Sequence, residues 1–68
     1  MKNSDLDEDV LTYIRNNQHI HPTEADIFHH FIDTSAEILK HSITHLRKSK
    51  QVSVINMETY AYFTPNEN

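Results

Sequence analysis

The sequence contains no cysteine and no glycine, and these two absences exclude several kinds of site. Without cysteine there is no disulfide framework, no thiolate ligand for zinc and no thiol nucleophile. Phosphate-cradling loops need a backbone that only glycine bends freely, so a loop of that kind is excluded as well. The chain has 68 residues, which is enough for one domain with one hydrophobic core.

Long hydrophobic runs are also missing. No apolar stretch approaches the roughly 18 residues that a transmembrane helix needs. The N-terminus, MKNSDLDED, is acidic, whereas a signal peptide begins with positive charge and continues into an apolar segment. We therefore expect a cytoplasmic protein that does not interact with a membrane.

Positive charge is scarce, and it is concentrated in one part of the chain. Six lysines and arginines stand against ten aspartates and glutamates, so the net charge is −4. The acids are densest in residues 5–9, whereas residues 39–50 contain four cations and no acid. This separation permits local attraction to an anionic partner, although the chain as a whole is acidic.

Three segments have the hydrophobic period of an amphipathic helix, and they lie near residues 5–17, 23–31 and 35–49. The second and third begin with the spacing of a capping box, because Thr23 precedes Asp26, and Thr34 precedes Glu37, by three residues. Two helix starts so close together predict two helices that are joined by a tight turn at IDTS.

The C-terminal segment changes to the alternating period of β-strands. Residues 51–64 predict a hairpin whose tip lies at 56–59. Because glycine is absent, a four-residue loop is favoured over a two-residue type I′ turn. Upstream, Pro22 biases His21 toward an extended backbone, and Ile20 is expected to form a short first strand at the edge of the hairpin.

These elements predict an α+β fold, mainly α, with three helices followed by a C-terminal β-hairpin. We expect a single domain over residues 1–68, with an ordered core of about 5–64 and frayed ends. The side chains expected to be largely buried are Leu6, Val10, Ile14, Ile27, Phe31, Ile38, Leu46, Val52 and Phe63.

The order of the elements resembles the winged helix-turn-helix family. The segments that carry the resemblance are HIHPTEADIFHHF, DTSAE, ILKHSITHLRKSKQVSV and YAYFT, so that it covers roughly residues 5–64. It is a resemblance of pattern, without an invariant motif. It implies that residues 35–49 form a recognition helix, that residues 55–60 form the tip of the wing, and that Ile20 adds a third strand.

The helix at 35–49 predicts a site for double-stranded DNA. The face opposite its apolar stripe carries the candidate DNA-binding residues Lys40, His41, Thr44, Arg47 and Lys48. Lys40 is suited to guanine acceptors, Thr44 to either base, and Arg47 and Lys48 to phosphates. One such helix buries little surface, so we expect a dimeric transcriptional regulator.

An alternative is a winged-helix module that binds another protein and does not bind DNA. The net charge of −4 favours this alternative, as do Glu37 on the candidate DNA-binding face and a wing tip that carries Glu58 and no cation. The contact surface would then be an exposed apolar patch drawn from Tyr13, Ile55, Met57 or Tyr60. A homodimer or a protein partner is consistent with either function.

Neither a metal site nor a catalytic site is predicted. Glu37, His41 and His45 are spaced along one helical stripe, but a single stripe supplies few ligands and no closed shell. Ser42 is expected to project inward, so it does not form a catalytic triad with His41 or His45. We therefore expect no enzyme activity and no cofactor, and we interpret the six histidines mainly as surface residues.

Overall fold

A computed structural model describes the backbone of residues 3–66 and the side chains of residues 6–66. The elements, in chain order, are α1 (Asn3–Asn16), a 3-10 turn (Gln18–Ile20), α2 (Glu24–His30), α3 (Ala36–Lys48), β1 (Val52–Asn56) and β2 (Ala61–Pro65). The predicted α+β fold, mainly α, is confirmed, and its layout is consistent with a winged helix. Of the ends predicted to fray beyond about 5–64, residues 1–2 and 67–68 lie outside the described residues. Asn3 and Ser4 belong to α1, Pro65 belongs to β2, and the Asn66 N–H donates to the Gln51 carbonyl.

The start of α2 confirms the predicted capping box. The hydroxyl of Thr23 accepts a hydrogen bond from the Asp26 backbone N–H at 3.3 Å, and the Asp26 carboxylate accepts one from the Thr23 N–H at 3.0 Å. These two bonds satisfy backbone donors that have no partner within the helix. A pattern of four adjacent residues was enough to predict them.

The start of α3 differs from the prediction by one residue. Ser35, not Thr34, is the N-cap, and its side chain makes no capping hydrogen bond. The N–H of Thr34 instead donates to the carbonyl of Phe31 at 2.9 Å, which closes the turn between α2 and α3. Glu37 therefore lies outside the third helical position, and the second predicted capping box is wrong.

The end of α3 is closed by a Schellman motif without glycine. The N–H of Gln51 donates to the Leu46 carbonyl at 3.0 Å, and the N–H of Lys50 donates to the Arg47 carbonyl at 3.1 Å. Lys50 has a φ of 63°, which is the left-handed conformation that glycine usually supplies at this position. The helix thus ends sharply, and the chain turns directly into β1.

The two strands pair in antiparallel register from Val52 with Pro65 to Asn56 with Ala61. The loop covers residues 57–60, one residue later than predicted, and the Met57 N–H donates to the Tyr60 carbonyl at 2.7 Å. The predicted loop length of four residues is confirmed. No loop residue has a positive φ, so the turn is not of type I′.

The predicted first strand at Ile20 is wrong, because the chain forms a 3-10 turn there. Ile20 is 55% exposed, and its N–H donates to the Asn17 carbonyl. His21, predicted to be extended, is left-handed with φ 56° and ψ 68°. The chain contacts the sheet slightly later, at Pro22 and Thr23. The carbonyl of the buried Pro22 accepts a hydrogen bond from the Phe63 N–H at 2.8 Å, and Thr23 forms a single β-bridge with Tyr62.

The core is formed by side chains from all three helices and both strands: Leu6, Val10, Leu11, Ile14, Ile27, Leu39, Ile43, Leu46, Val52 and Phe63. Two residues of the predicted core differ. Phe31 is only half-buried, and Ile38 is 49% exposed. Ile38 lies about 100° around the helix from the fully buried Leu39, which places it at the flank of the buried face.

Within residues 3–66, no helix combines the length and the hydrophobicity that crossing a membrane requires.

Candidate nucleic-acid interface

One face of α3 is exposed, and it carries all of the predicted DNA-binding residues: Lys40, His41, Thr44, Arg47 and Lys48. The face exists because Leu39, Ile43 and Leu46 turn the opposite side of the helix into the core. Thr44, Arg47 and Lys48 line a shallow depression on the surface. Helical projection thus predicted the exposure of these five side chains, although it predicted wrongly that Ile38 of the same helix is buried.

The cations on this face have no carboxylate partner among the described side chains of residues 6–66. No lysine or arginine in that part of the chain lies within salt-bridge distance of a carboxylate, so Lys40, Arg47 and Lys48 have no acidic partner there. Glu37 is exposed near the N-terminal end of the same helix. The face thus has positive charge along its length and one carboxylate at its beginning.

A hydrogen-bonded cluster, which sequence reasoning did not predict, joins α3 to α1. The Ser42 hydroxyl donates to Oδ1 of Asp7 at 2.5 Å, and Nδ1 of His45 lies 2.5 Å from Oδ2 of the same carboxylate. Ser42 is buried, and only 14% of the Asp7 side chain is exposed. Asp7 was predicted only to stabilise the N-terminus of α1, but it also joins α3 to α1 through these two contacts.

The geometry of this cluster differs from that of a catalytic triad, although it contains serine, histidine and aspartate. In a triad the imidazole lies between the hydroxyl and the carboxylate, where it can take the hydroxyl proton. Here the carboxylate lies between the other two groups, and the Ser42 hydroxyl is directed at Asp7. The arrangement is suited to holding two helices together.

Exposed apolar side chains occur outside this face. They are Ile20, Ile32, Ile38, Ile55, Met57 and Tyr60. Of the residues predicted for a protein-binding patch, Ile55, Met57 and Tyr60 lie on or beside the hairpin and are 39–49% exposed. Tyr13, the fourth residue predicted for this patch, lies on α1 and is half-buried.

Tyr13 belongs to an aromatic cluster between α1 and α2. Its ring centroid is 4.4 Å from that of His30 and 6.0 Å from that of Phe31. Burial, together with the negative charge of Asp26, raises the pKa of Tyr13 above its usual value. An open groove runs beside this cluster, and Asp9 and Asn16 are among the residues that line it.

The structure also locates the histidine stripe that was considered for metal binding. His41 is exposed, while His45 contacts Asp7. Within the part of the chain that the structure describes, no group of three or more His, Asp or Glu side chains could hold a metal ion.

Comparison with known proteins gave no relative: no family model, no curated protein and no solved structure matches this chain.

Proposed function

We propose that this protein is a small DNA-binding regulator of the winged helix-turn-helix type, and that α3 is its recognition helix. The observation that carries the proposal is the exposed face of α3, where Lys40, Arg47 and Lys48 have no carboxylate partner among the described side chains. A helix that follows a tight turn and presents such a face has the form of the major-groove element in this class of protein. We also propose that the protein is located in the cytoplasm.

The residues on this face have different roles in the proposal. Lys40 and Thr44 contact base edges, and they determine sequence preference. Arg47 and Lys48 contact phosphates, and they contribute to affinity for any sequence. Asp7 has an indirect role, because its bonds to Ser42 and His45 hold α3 in position on α1.

Acidic groups near the proposed interface should lower its affinity for DNA. Glu37 lies near the groove-facing residues, and Glu58 is in the wing loop, where the described residues 57–60 include no lysine or arginine. Each carboxylate near a phosphate opposes binding, so affinity for random duplex should be weak at physiological salt. A dimer with two recognition helices would compensate for the small surface that one helix buries.

The proposal is tested by fluorescence-anisotropy titration of a labelled random duplex at low and moderate salt. Lys48→Ala should weaken binding to all sequences alike and lower the salt slope by about one unit. On a duplex selected from a random library, Lys40→Ala and Thr44→Ala should each cost about 1–3 kcal/mol of discrimination against mismatched sites. Arg15→Ala, which removes an exposed cation of α1 instead, is the matched control and should have little effect.

The contradicting result is a wild-type protein that binds no duplex at low salt and at about pH 6. Low salt favours binding, because the attraction between lysine or arginine and phosphate is then screened least. An absence of binding there would overturn the DNA-binding proposal.

A second candidate is supported by the exposed apolar residues of the hairpin. Ile55, Met57 and Tyr60 are accessible around its loop, as in a module that binds a protein partner. If duplex binding is absent, this candidate predicts that Met57→Lys abolishes partner capture and that Lys48→Ala leaves it unchanged. If Lys48→Ala abolishes partner capture and Met57→Lys leaves it unchanged, this candidate is excluded.

A further inference from the structure

The outer edge of β1 is an open sheet edge. The sheet has two strands in the order β1–β2, and the other side of β2 meets the chain at Thr23. Within residues 3–66, no backbone segment pairs with the second side of β1. The backbone groups that point to that side are consequently free to pair with another strand.

The hydrogen bonds at the two ends of the hairpin show which residues point outward. The Asn66 N–H donates to the Gln51 carbonyl, and the Met57 N–H donates to the Tyr60 carbonyl. Along an antiparallel ladder, hydrogen-bonded and non-hydrogen-bonded pairs alternate. Gln51 and Met57 are in hydrogen-bonded pairs, so the N–H and C=O groups directed to the open edge belong to Val52, Val54 and Asn56.

β1 lacks three features that commonly prevent a sheet edge from pairing with another chain. Exposed edges are commonly protected by charged side chains, proline or a β-bulge. The sequence of β1 is VSVIN, which contains no charge and no proline, and its register with β2 continues without a bulge. Ile55 and Asn56 are both exposed beside the edge.

We propose that β1 pairs with β1 of a second copy of this chain, antiparallel about a two-fold axis at Val54. Val54 then faces the partner's Val54, and Val52 faces the partner's Asn56. All of the outward N–H and C=O groups of Val52, Val54 and Asn56 are matched in this register. A shift by two residues in either direction leaves outward groups unmatched within the strand.

Charge at the ends of the strand favours the same register. Lys50 and Glu58 lie just outside the two ends of β1, and this register brings the Lys50 end of one strand beside the Glu58 end of the other, at both ends of the interface. A shift by two residues would move these oppositely charged ends apart. The segment that pairs is thus neutral, and its two ends are complementary to those of a second copy.

The proposal is tested by sedimentation equilibrium without DNA, so that its outcome is independent of the proposed DNA-binding function. Wild-type protein should show a dimer population that rises with concentration up to about 1 mM. Asn56→Pro removes an outward N–H that is not used in the pairing with β2, and it should weaken dimerisation about tenfold or more. Asn56→Ala keeps that N–H and should dimerise like the wild type.

A charge exchange provides a second test that does not alter the backbone. Lys50→Glu and Glu58→Lys should each weaken dimerisation about three- to tenfold, because each places like charges at both ends of the interface. The double variant Lys50→Glu/Glu58→Lys should restore the wild-type dissociation constant. Thermal melts of all variants show whether each remains folded.

Two results would overturn the proposal. One is a wild-type protein that stays monomeric up to about 1 mM. The other is a dimer whose dissociation constant changes neither with the charge variants nor, if Asn56→Pro folds, with that substitution.

Discussion

α1 and α3 both carry charged side chains, but the two helices use them differently. Asp7 of α1 is largely buried and accepts hydrogen bonds from Ser42 and His45. Lys40 and Lys48 of α3 are exposed and have no carboxylate partner among residues 6–66. The acid is thus committed to holding the helices together, while the cations remain accessible to a ligand.

Net charge is therefore a poor guide to the charge of any one surface of so small a domain. The net charge is −4, yet an acid that pairs inside the molecule contributes little to the potential outside the opposite face of α3. The position of a charge relative to the core determines whether it stabilises the fold or is available for recognition.

Truncating a fully buried core side chain of α3 should change the free energy of unfolding most. Leu46 is fully buried on α3, and Leu46→Ala should lower the free energy of unfolding by about 2–5 kcal/mol because it leaves a cavity. Thr44→Ala, on the exposed face of the same helix, should change it by less than about 0.5 kcal/mol. Similar losses in both variants, measured by urea denaturation, would contradict the assignment of the two faces.

A smaller loss of stability is expected when the largely buried carboxylate of Asp7 is removed than when Leu46 is truncated. Asp7→Ala should lower the free energy of unfolding by about 1–3 kcal/mol, because it leaves the buried Ser42 hydroxyl without its acceptor. Removing both partners, in Asp7→Ala/Ser42→Ala, should recover part of the loss. Glu8→Ala is the control, since Glu8 is exposed on the same helix. Equal stability of the Asp7 and Glu8 variants would show that the cluster does not stabilise the fold.

The smallest effect concerns the backbone at the end of α3. Lys50 has a left-handed conformation, so Lys50→Gly should raise the free energy of unfolding by about 1 kcal/mol. Lys40→Gly, inside the helix, should lower it by about the same amount. Chemical denaturation of the two variants should therefore give shifts of opposite sign, and shifts of the same sign would argue against the Schellman motif.

Features that depend on neighbouring residues could be predicted from the sequence. The capping box of Thr23 and Asp26 follows from a spacing of three residues, and the exposed residues of α3 follow from helical periodicity. Boundaries were less accurate, because Thr34 and Ser35 are both good N-caps and only the turn that closes on Phe31 decides between them.

Features that depend on packing between distant segments could not be predicted. Asp7 lies 35 residues from Ser42 in sequence, and no local pattern relates the two. Ile38 and Leu39 are adjacent apolar residues of α3, yet Leu39 is buried in the core while Ile38 is exposed. The left-handed His21 likewise follows from the closing of a 3-10 turn, against the local preference that Pro22 imposes.

We propose that the exposed face of α3, and not the surface of α1, binds duplex DNA. Chemical-shift mapping of the ¹⁵N-labelled protein during titration with a short duplex at low salt distinguishes these two surfaces. The predicted result is a set of perturbed amides concentrated between Lys40 and Lys48, with those of Glu8 and Asp9 unchanged. Perturbations confined to α1 or to the groove beside Tyr13, or no perturbation anywhere, would contradict it.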